Sequence, residues 1–142
     1  MNALSPDEAR EFASRWLPLW TGNRPEELAT LYTNDLFYSD PVLREGLRGR
    51  EAFLEYLRPL LRSNPDWVWR FERAIPLEDG FLNHWILDRP IDGQIQIGRG
   101  VCTVQLRQGL IYRNEVYFDM APFQHTRQAR AQKPPDILPN TV

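Results

Sequence analysis

The 142-residue chain carries 17 Lys+Arg and 19 Asp+Glu residues, for a formal net charge of -2, and 42% of its residues are hydrophobic. This length suits one well-packed domain, and the small net charge gives no electrostatic attraction to nucleic acid or to an anionic membrane. The N-terminus lacks a signal peptide and no stretch reaches the roughly 18 apolar residues of a membrane span, so a cytoplasmic protein is expected. The single cysteine excludes an intramolecular disulfide, and no zinc-ligand spacing occurs.

The first half of the chain has the period of amphipathic helices. Apolar spacing and capping signals predict helices between Ser5 and Gly22, between Pro25 and Asn34, and between Gly49 and Asn64. Tyr32 is expected on the buried side of the second helix. A short strand is expected at residues 36–40.

The second half of the chain changes to the period of strands. Segments near residues 66–76, 81–88, 94–106 and 110–119 are rich in β-branched and aromatic residues and are separated by turn signals. Consecutive strands with short turns predict an antiparallel meander. Helices followed by strands indicate an α+β domain over residues 1–121, and the Pro-rich residues 122–142 are expected to form a tail.

Three segments carry a resemblance to a known family. Residues 31–41 (LYTNDLFYSDP), residues 46–53 (GLRGREAF) and the last strand at residues 109–119 (GLIYRNEVYFD) resemble the nuclear transport factor 2-like superfamily, in its SnoaL-like polyketide cyclase branch. The resemblance implies a cone in which three N-terminal helices pack on a strongly curved, mainly antiparallel sheet that encloses an apolar pocket. It further implies a homodimer through the outer sheet face.

Asp40 is the first candidate for a catalytic residue. It ends an aromatic strand beside Phe37 and Tyr38, and the following Pro41 favours extended backbone. This placement could direct the carboxylate into the pocket, as a general base that removes a proton next to a carbonyl group. An Asp before Pro equally often caps backbone N–H groups in a turn, so both interpretations stay open.

Two catalytic branches of the superfamily fit the sequence poorly. In ketosteroid isomerases the matching Asp-Pro position carries the base, but the positions expected for the oxyanion donors hold Trp16 and Cys102. In the epoxide hydrolases, the water-activating Asp of the closing strand falls on Val116. A polyketide cyclase needs only an acid/base residue and an aromatic cavity, without metal or cofactor, which this sequence can supply.

Further candidate site residues come from the strands. His84 offers a titratable imidazole, although a His beside Trp85 is more often a hydrogen-bonded sheet residue. On the closing strand Tyr112, Asn114, Val116 and Phe118 alternate onto one face, which makes Asn114 a third catalytic candidate after Asp40 and His84. The expected ligand-binding residues are Trp16, Tyr32, Tyr38, Phe53, Trp85, Cys102, Val116 and Phe118.

Two functions of different classes fit this pattern. The favoured one is a cofactor-independent polyketide cyclase, or a related isomerase or lyase, acting on an apolar, carbonyl-bearing small molecule. The alternative is a noncatalytic binding module for an apolar or aromatic small molecule, or a dimeric interaction module of the same fold, which the shortage of paired acids favours. The two differ in whether Asp40 meets a second polar group inside the pocket or only caps backbone.

Overall fold

The computed structural model describes residues 4–121, so the tail expected at residues 122–142 lies outside the described residues. The helical elements are α1 (Pro6–Trp16), a 3-10 helix (Leu17–Trp20), α2 (Pro25–Ala29) and α3 (Arg50–Ser63). The strands are β1 (Tyr32–Ser39), β2 (Leu47–Arg48), β3 (Val68–Leu77), β4 (Gly80–Ile91), β5 (Gln94–Arg107) and β6 (Leu110–Phe118). Helices precede the long strands, which confirms the predicted α+β class.

The strands form one sheet in the order β2-β1-β6-β5-β4-β3. The meander from β3 to β6 is antiparallel throughout, as predicted, whereas β1 pairs in parallel with β6. The register shifts between Phe71 and Arg73, and again between Gln105 and Leu106. Such irregularities bend the strands that carry them and increase their twist.

Helix α1 begins where the sequence predicts it. Ser5 Oγ accepts a hydrogen bond from the backbone N–H of Glu8 at 3.1 Å, and the Glu8 carboxylate accepts one from the Ser5 N–H at 2.9 Å. This reciprocal pair satisfies two backbone donors that a helix start leaves without partners. The buried stripe of α1, including Phe12 and Trp16, then packs onto β3 and β4.

The structure corrects the predicted position of Tyr32. Helix α2 ends at Ala29, and Tyr32 opens β1, opposite Ile111 of β6. The short apolar run fits either a helix or a strand by period alone, and pairing with the distant strand β6 decides in favour of the strand. The two-residue strand β2 was not predicted, since a pair of residues carries no period.

One face of the sheet is buried against the helices. On β4, Phe81, Asn83, Trp85 and Leu87 are buried in alternation with less buried neighbours. Helix α1 and the 3-10 helix pack on β3, while α3 packs on β1 and on α2. The inner face of the sheet therefore lies under the helices, and the apolar core fills the space between them.

We predict that Ser5→Ala lowers the free energy of unfolding by roughly 0.5–2 kcal/mol, because the start of α1 loses its side-chain cap. Urea unfolding followed by circular dichroism measures the change. Ser63→Ala, in the last turn of α3, is the matched control, since no such cap involves that side chain. Equal stabilities of the two variants would show that the capping box does not contribute.

Candidate functional site

A cavity opens between the helices and the inner face of the sheet. Its volume is about 50 Å³, and it opens to solvent at its mouth. The lining is almost entirely apolar. The residues around it are Trp16, Leu17, Trp20, Tyr38, Asp40, Val42, Tyr56, Leu60, Trp67, Trp69, Trp85, Leu87, Cys102, Asn114, Val116 and Phe118.

All five tryptophans of the chain contribute to this lining. Trp16 ends α1, Trp20 ends the 3-10 helix, Trp67 precedes β3, and Trp69 and Trp85 lie on β3 and β4. Trp20, Trp69 and Trp85 are neighbours in a series of contacting rings that tyrosine and phenylalanine rings extend at its two ends. We call the series formed by Tyr56, Tyr38, Trp20, Trp69, Trp85 and Phe118 the aromatic wall. Its successive ring centroids are 5.8, 6.0, 6.1, 4.9 and 5.8 Å apart.

A glycine gives Trp85 its place in the wall. Gly100 faces Trp85 across the β4–β5 pair, and a Cβ at Gly100 would lie 2.3 Å from Cζ2 of the indole. It would also lie 2.7 Å from the backbone oxygen of Tyr117. The sheet therefore admits the large ring only because residue 100 has no side chain.

Asp40 is the acidic group of the cavity. It follows β1 and is 8% exposed. Oδ2 accepts hydrogen bonds from the Tyr38 hydroxyl at 2.8 Å and from the Tyr56 hydroxyl at 2.6 Å. Oδ1 accepts from the backbone N–H groups of Val42 at 2.9 Å and Leu43 at 2.8 Å. The carboxylate thus joins two tyrosines inside the cavity and also caps the turn after β1.

The two tyrosines act as neutral donors. Burial, reinforced by the adjacent charge of Asp40, raises the pKa of Tyr38 well above its ordinary value. The same two causes raise the pKa of Tyr56. Both hydroxyls consequently keep their protons at physiological pH and can donate to the carboxylate.

A second set of polar groups includes two residues of the cavity lining, Trp16 and Asn114. Trp16 Nε1 donates to the Tyr32 hydroxyl at 3.1 Å, which in turn donates to Asn114 Oδ1 at 2.8 Å. Asn114 Nδ2 then donates to the backbone oxygen of Thr103 at 2.7 Å. Burial raises the pKa of Tyr32 well above its ordinary value. This series satisfies buried polar atoms within the protein and connects α1, β1, β6 and β5.

Cys102 is a neutral thiol at the base of the cavity. It is 2% exposed, and burial raises the pKa of the thiol to about 12. Asn83 Nδ2 lies 4.0 Å from the sulfur. A thiol that stays protonated is a weak nucleophile, so Cys102 contributes shape and apolar surface.

The structure gathers most of the predicted site residues around the cavity. These are Asp40, Asn114, Trp16, Tyr38, Trp85, Cys102, Val116 and Phe118. Tyr32 and Phe53 are fully buried behind the lining, with ring centroids 4.6 Å apart, and support it from the core. His84 alternates with the buried Asn83 and Trp85, so it lies on the outer face of the sheet and does not reach the cavity.

Tyr112 departs from the face predicted for it. The register shift opposite Gln105 and Leu106 leaves Tyr112 without a counterpart between Ile111 and Arg113. Such an extra residue changes which side chains share a face. The Tyr112 hydroxyl instead donates a hydrogen bond to Asp79, away from the cavity. From Asn114 onward the predicted alternation is correct.

Sequence reasoning missed several lining residues. Trp67 and Trp69 are separated by one residue, which places them on one side of an extended segment. Tyr56 and Leu60 are separated by four residues on α3, which places them on one side of a helix. These spacings identify shared faces, but they do not distinguish a cavity wall from an ordinary core.

Neither a membrane-spanning helix nor a metal site is found in residues 4–121. No helix of this region is long and apolar enough to cross a membrane. Within the same residues, no group of three or more His, Cys, Asp or Glu side chains could hold a metal ion.

Comparison with known families identifies the class of protein. A family model described as "SnoaL-like domain" matches residues 13–114 of the 142-residue chain, a span that includes Asp40 and all the tryptophans. The chain therefore belongs to the SnoaL-like domain family, which confirms the resemblance stated from the sequence. No curated protein sequence matches significantly.

Solved structures share the fold at low sequence identity. A Jannaschia sp. CCS1 protein with the provisional name SnoaL-like polyketide cyclase is 15% identical, with a TM-score of 0.71 over 92% of this chain and 98% of that one. A Catenulispora acidiphila protein with a ketosteroid isomerase-like fold, in complex with trimethylamine, is 20% identical, with a TM-score of 0.70 over 91% and 98%. A SnoaL-like protein from Burkholderia thailandensis is 17% identical, with a TM-score of 0.68 over 82% and 98%. These similarities establish the nuclear transport factor 2-like fold.

We predict that Gly100→Ala displaces the Trp85 ring and lowers the free energy of unfolding by roughly 1–3 kcal/mol, as overpacking does. Tryptophan fluorescence and urea unfolding report the two effects. In the double variant Gly100→Ala with Trp85→Phe, the smaller ring should restore part of the lost stability. A Gly100→Ala protein with unchanged spectrum and stability would contradict this account of Trp85.

Proposed function

We propose that this protein binds a small organic molecule with a largely apolar surface in the tryptophan-lined cavity and acts there as a binding protein without catalysing a reaction. The observation that carries the proposal is an open apolar cavity in which the side chains of Tyr38, Asp40, Tyr56 and Asn114 already hydrogen-bond within the protein. Trp69 Nε1 is a buried donor of the lining without a partner in the protein. Apolar lining with a few oriented polar groups is the usual composition of a small-molecule site. The trimethylamine complex of the Catenulispora protein supports such a site in this fold.

The state of Asp40 argues against proton abstraction. A carboxylate has about four acceptor positions, and Asp40 accepts four hydrogen bonds from Tyr38, Tyr56 and the backbone of Val42 and Leu43. A general base must instead come within hydrogen-bond reach of the proton that it removes. A substrate would have to displace one of these donors before Asp40 could act.

A second candidate function remains the one favoured by the sequence. Cofactor-independent cyclase, isomerase or lyase chemistry on a carbonyl-bearing molecule is supported by the contact between Asp40 and Tyr56 at the cavity. Tyr56 is only partly buried, so its hydroxyl is the donor that can leave Asp40 most easily. Tyr56 would then donate a hydrogen bond to the substrate oxygen while Asp40 accepts the proton.

One aromatic ketone, 2-tetralone, tests both functions. We predict that it changes the tryptophan fluorescence on binding, and that the protein does not accelerate exchange of its α-protons in D2O beyond the rate with Asp40→Asn. Asp40→Asn should lower the free energy of unfolding by roughly 1–3 kcal/mol, through lost capping and lost hydrogen bonds to a charged group. Asp35→Asn, at an exposed carboxylate outside the cavity, is the matched control.

The outcomes separate the two candidates. Exchange with the unmodified protein that is about a hundredfold faster than with Asp40→Asn, the usual effect of a general base, would establish catalysis and refute a purely binding role. Absence of any fluorescence change up to the solubility limit of 2-tetralone would count against binding of a neutral apolar molecule.

The outer face of the sheet supports a homodimer. Ile97 pairs with Asp88, the neighbour of the cavity residue Leu87, and therefore lies on the opposite face. Ile95, Ile97 and Tyr117 are 59%, 57% and 55% exposed. Large apolar residues exposed together mark an interaction surface, and a two-fold dimer joins identical patches.

We predict that the protein sediments as a dimer at micromolar concentration and that Ile97→Glu converts it to a monomer, because the charge would be buried in the contact. Arg62→Glu, on an exposed position of α3, should leave the dimer intact. Analytical ultracentrifugation of the full chain measures both variants. A monomeric unmodified protein would refute the proposal.

A further inference from the structure

The charges around the cavity have one sign. Among the described residues that line it, Asp40 is the sole carboxylic acid, and none is lysine, arginine or histidine. The four donors to Asp40 are neutral groups, so they orient the carboxylate without cancelling its charge. None of the salt bridges found in residues 4–121 involves Asp40. The nearby buried Arg89 lines a separate polar cleft that shares Trp67 with the cavity.

The aromatic wall adds a second feature that favours positive charge. The faces of aromatic rings carry partial negative charge, and indole attracts cations most strongly. Neighbouring rings of the wall are inclined to one another, by 54° between Trp20 and Trp69 and by 73° between Trp69 and Trp85. Rings inclined in this way present surfaces with different orientations to the cavity that they line. The arginines found stacked on rings contact Phe12, Phe37, Phe71 and Tyr112, none of which lines the cavity.

We propose that the cavity is a site for an organic cation, a quaternary ammonium or a protonated tertiary amine, held by the aromatic wall and the charge of Asp40. This inference rests on the proposed binding function and names the class of its ligand. The wall supplies apolar contact and cation–π attraction to the alkyl groups on nitrogen. Asp40 supplies the balancing charge at one end of the wall, where its carboxylate contacts Tyr38 and Tyr56.

Hydrogen-bond capacity distinguishes this class from other cations. A primary ammonium has three N–H donors and a guanidinium has five. Asp40 already accepts four hydrogen bonds, so the side-chain acceptors left in the lining are the hydroxyl oxygens of Tyr38 and Tyr56 and the amide oxygen of Asn114. A hard metal ion prefers six or more oxygen ligands or retained water. A quaternary ammonium needs no acceptor, and a tertiary ammonium needs one.

The same features disfavour an anionic ligand. A carboxylate or phosphate in the cavity would place a second negative charge near Asp40 in surroundings that screen charge weakly. The described lining offers no basic side chain to balance it. The cavity therefore selects by repulsion of anions as well as by attraction of cations.

The test compares choline with 3,3-dimethylbutan-1-ol, its neutral analogue of nearly the same shape. Calorimetry and tryptophan fluorescence of the full chain should show choline binding about tenfold more tightly or better. Asp40→Asn should reduce this preference several-fold, while Asp35→Asn should leave it unchanged. Trp69→Leu keeps apolar surface but removes the central ring, and it should weaken choline binding more than binding of the neutral alcohol.

The outcomes separate the cation site from the proposed binding function on which it rests. Equal binding of the two probes, or binding of 2-tetralone but not choline, overturns the cation site and leaves small-molecule binding in place. Binding of choline that Asp40→Asn and Trp69→Leu do not weaken also overturns it, because the cation then binds elsewhere. Failure of all three probes refutes the binding function as well. Circular dichroism checks that Asp40→Asn and Trp69→Leu are folded. Trp20→Leu replaces Trp69→Leu if the latter does not fold.

Discussion

The hydrogen bonds to the Asp40 carboxylate hold together the elements around the cavity. One of its oxygens holds the turn that follows β1, through the N–H groups of Val42 and Leu43. The other holds Tyr38 from β1 and Tyr56 from α3. A single buried charge therefore fixes the end of a strand, a loop at the mouth and a helix relative to one another. Such a charge is tolerated because neutral donors satisfy it almost completely.

A different set of interactions holds Trp16 and Asn114 in the cavity lining. Neutral hydrogen bonds from Trp16 through Tyr32 to Asn114 connect the first helix to the last strand, and every member is buried. A fully satisfied polar network in a weakly screened interior is rigid. Two of its members, Trp16 and Asn114, line the cavity, so the network fixes the positions of these two lining residues.

The sequence predicted the elements better than their contacts. Local signals were sufficient for the cap at Ser5 and for the four strands of the meander, because capping and period-two alternation depend on near neighbours. Tyr32 was assigned to a helix because its role depends on pairing with Ile111, which lies 79 residues away in the chain. His84 was a candidate by residue type alone, and the alternation of side chains along β4 places it on the outer face of the sheet. Tyr112 was misplaced by one extra residue in β6, which no local pattern announces.

The structure contains both kinds of contact that the sequence offered for Asp40, to cavity side chains and to turn backbone, which explains why the sequence could not choose between them. The same side chain caps backbone with one oxygen and meets polar groups of the cavity with the other. A carboxylate that holds the turn and the two tyrosines at the cavity is a poor general base, because taking up a proton would weaken several of its hydrogen bonds at once. An ion pair with a bound cation leaves those hydrogen bonds in place, because the carboxylate keeps its negative charge. The proposed cation site would therefore use the charge of Asp40 and leave its hydrogen bonds to Tyr38, Tyr56, Val42 and Leu43 unchanged.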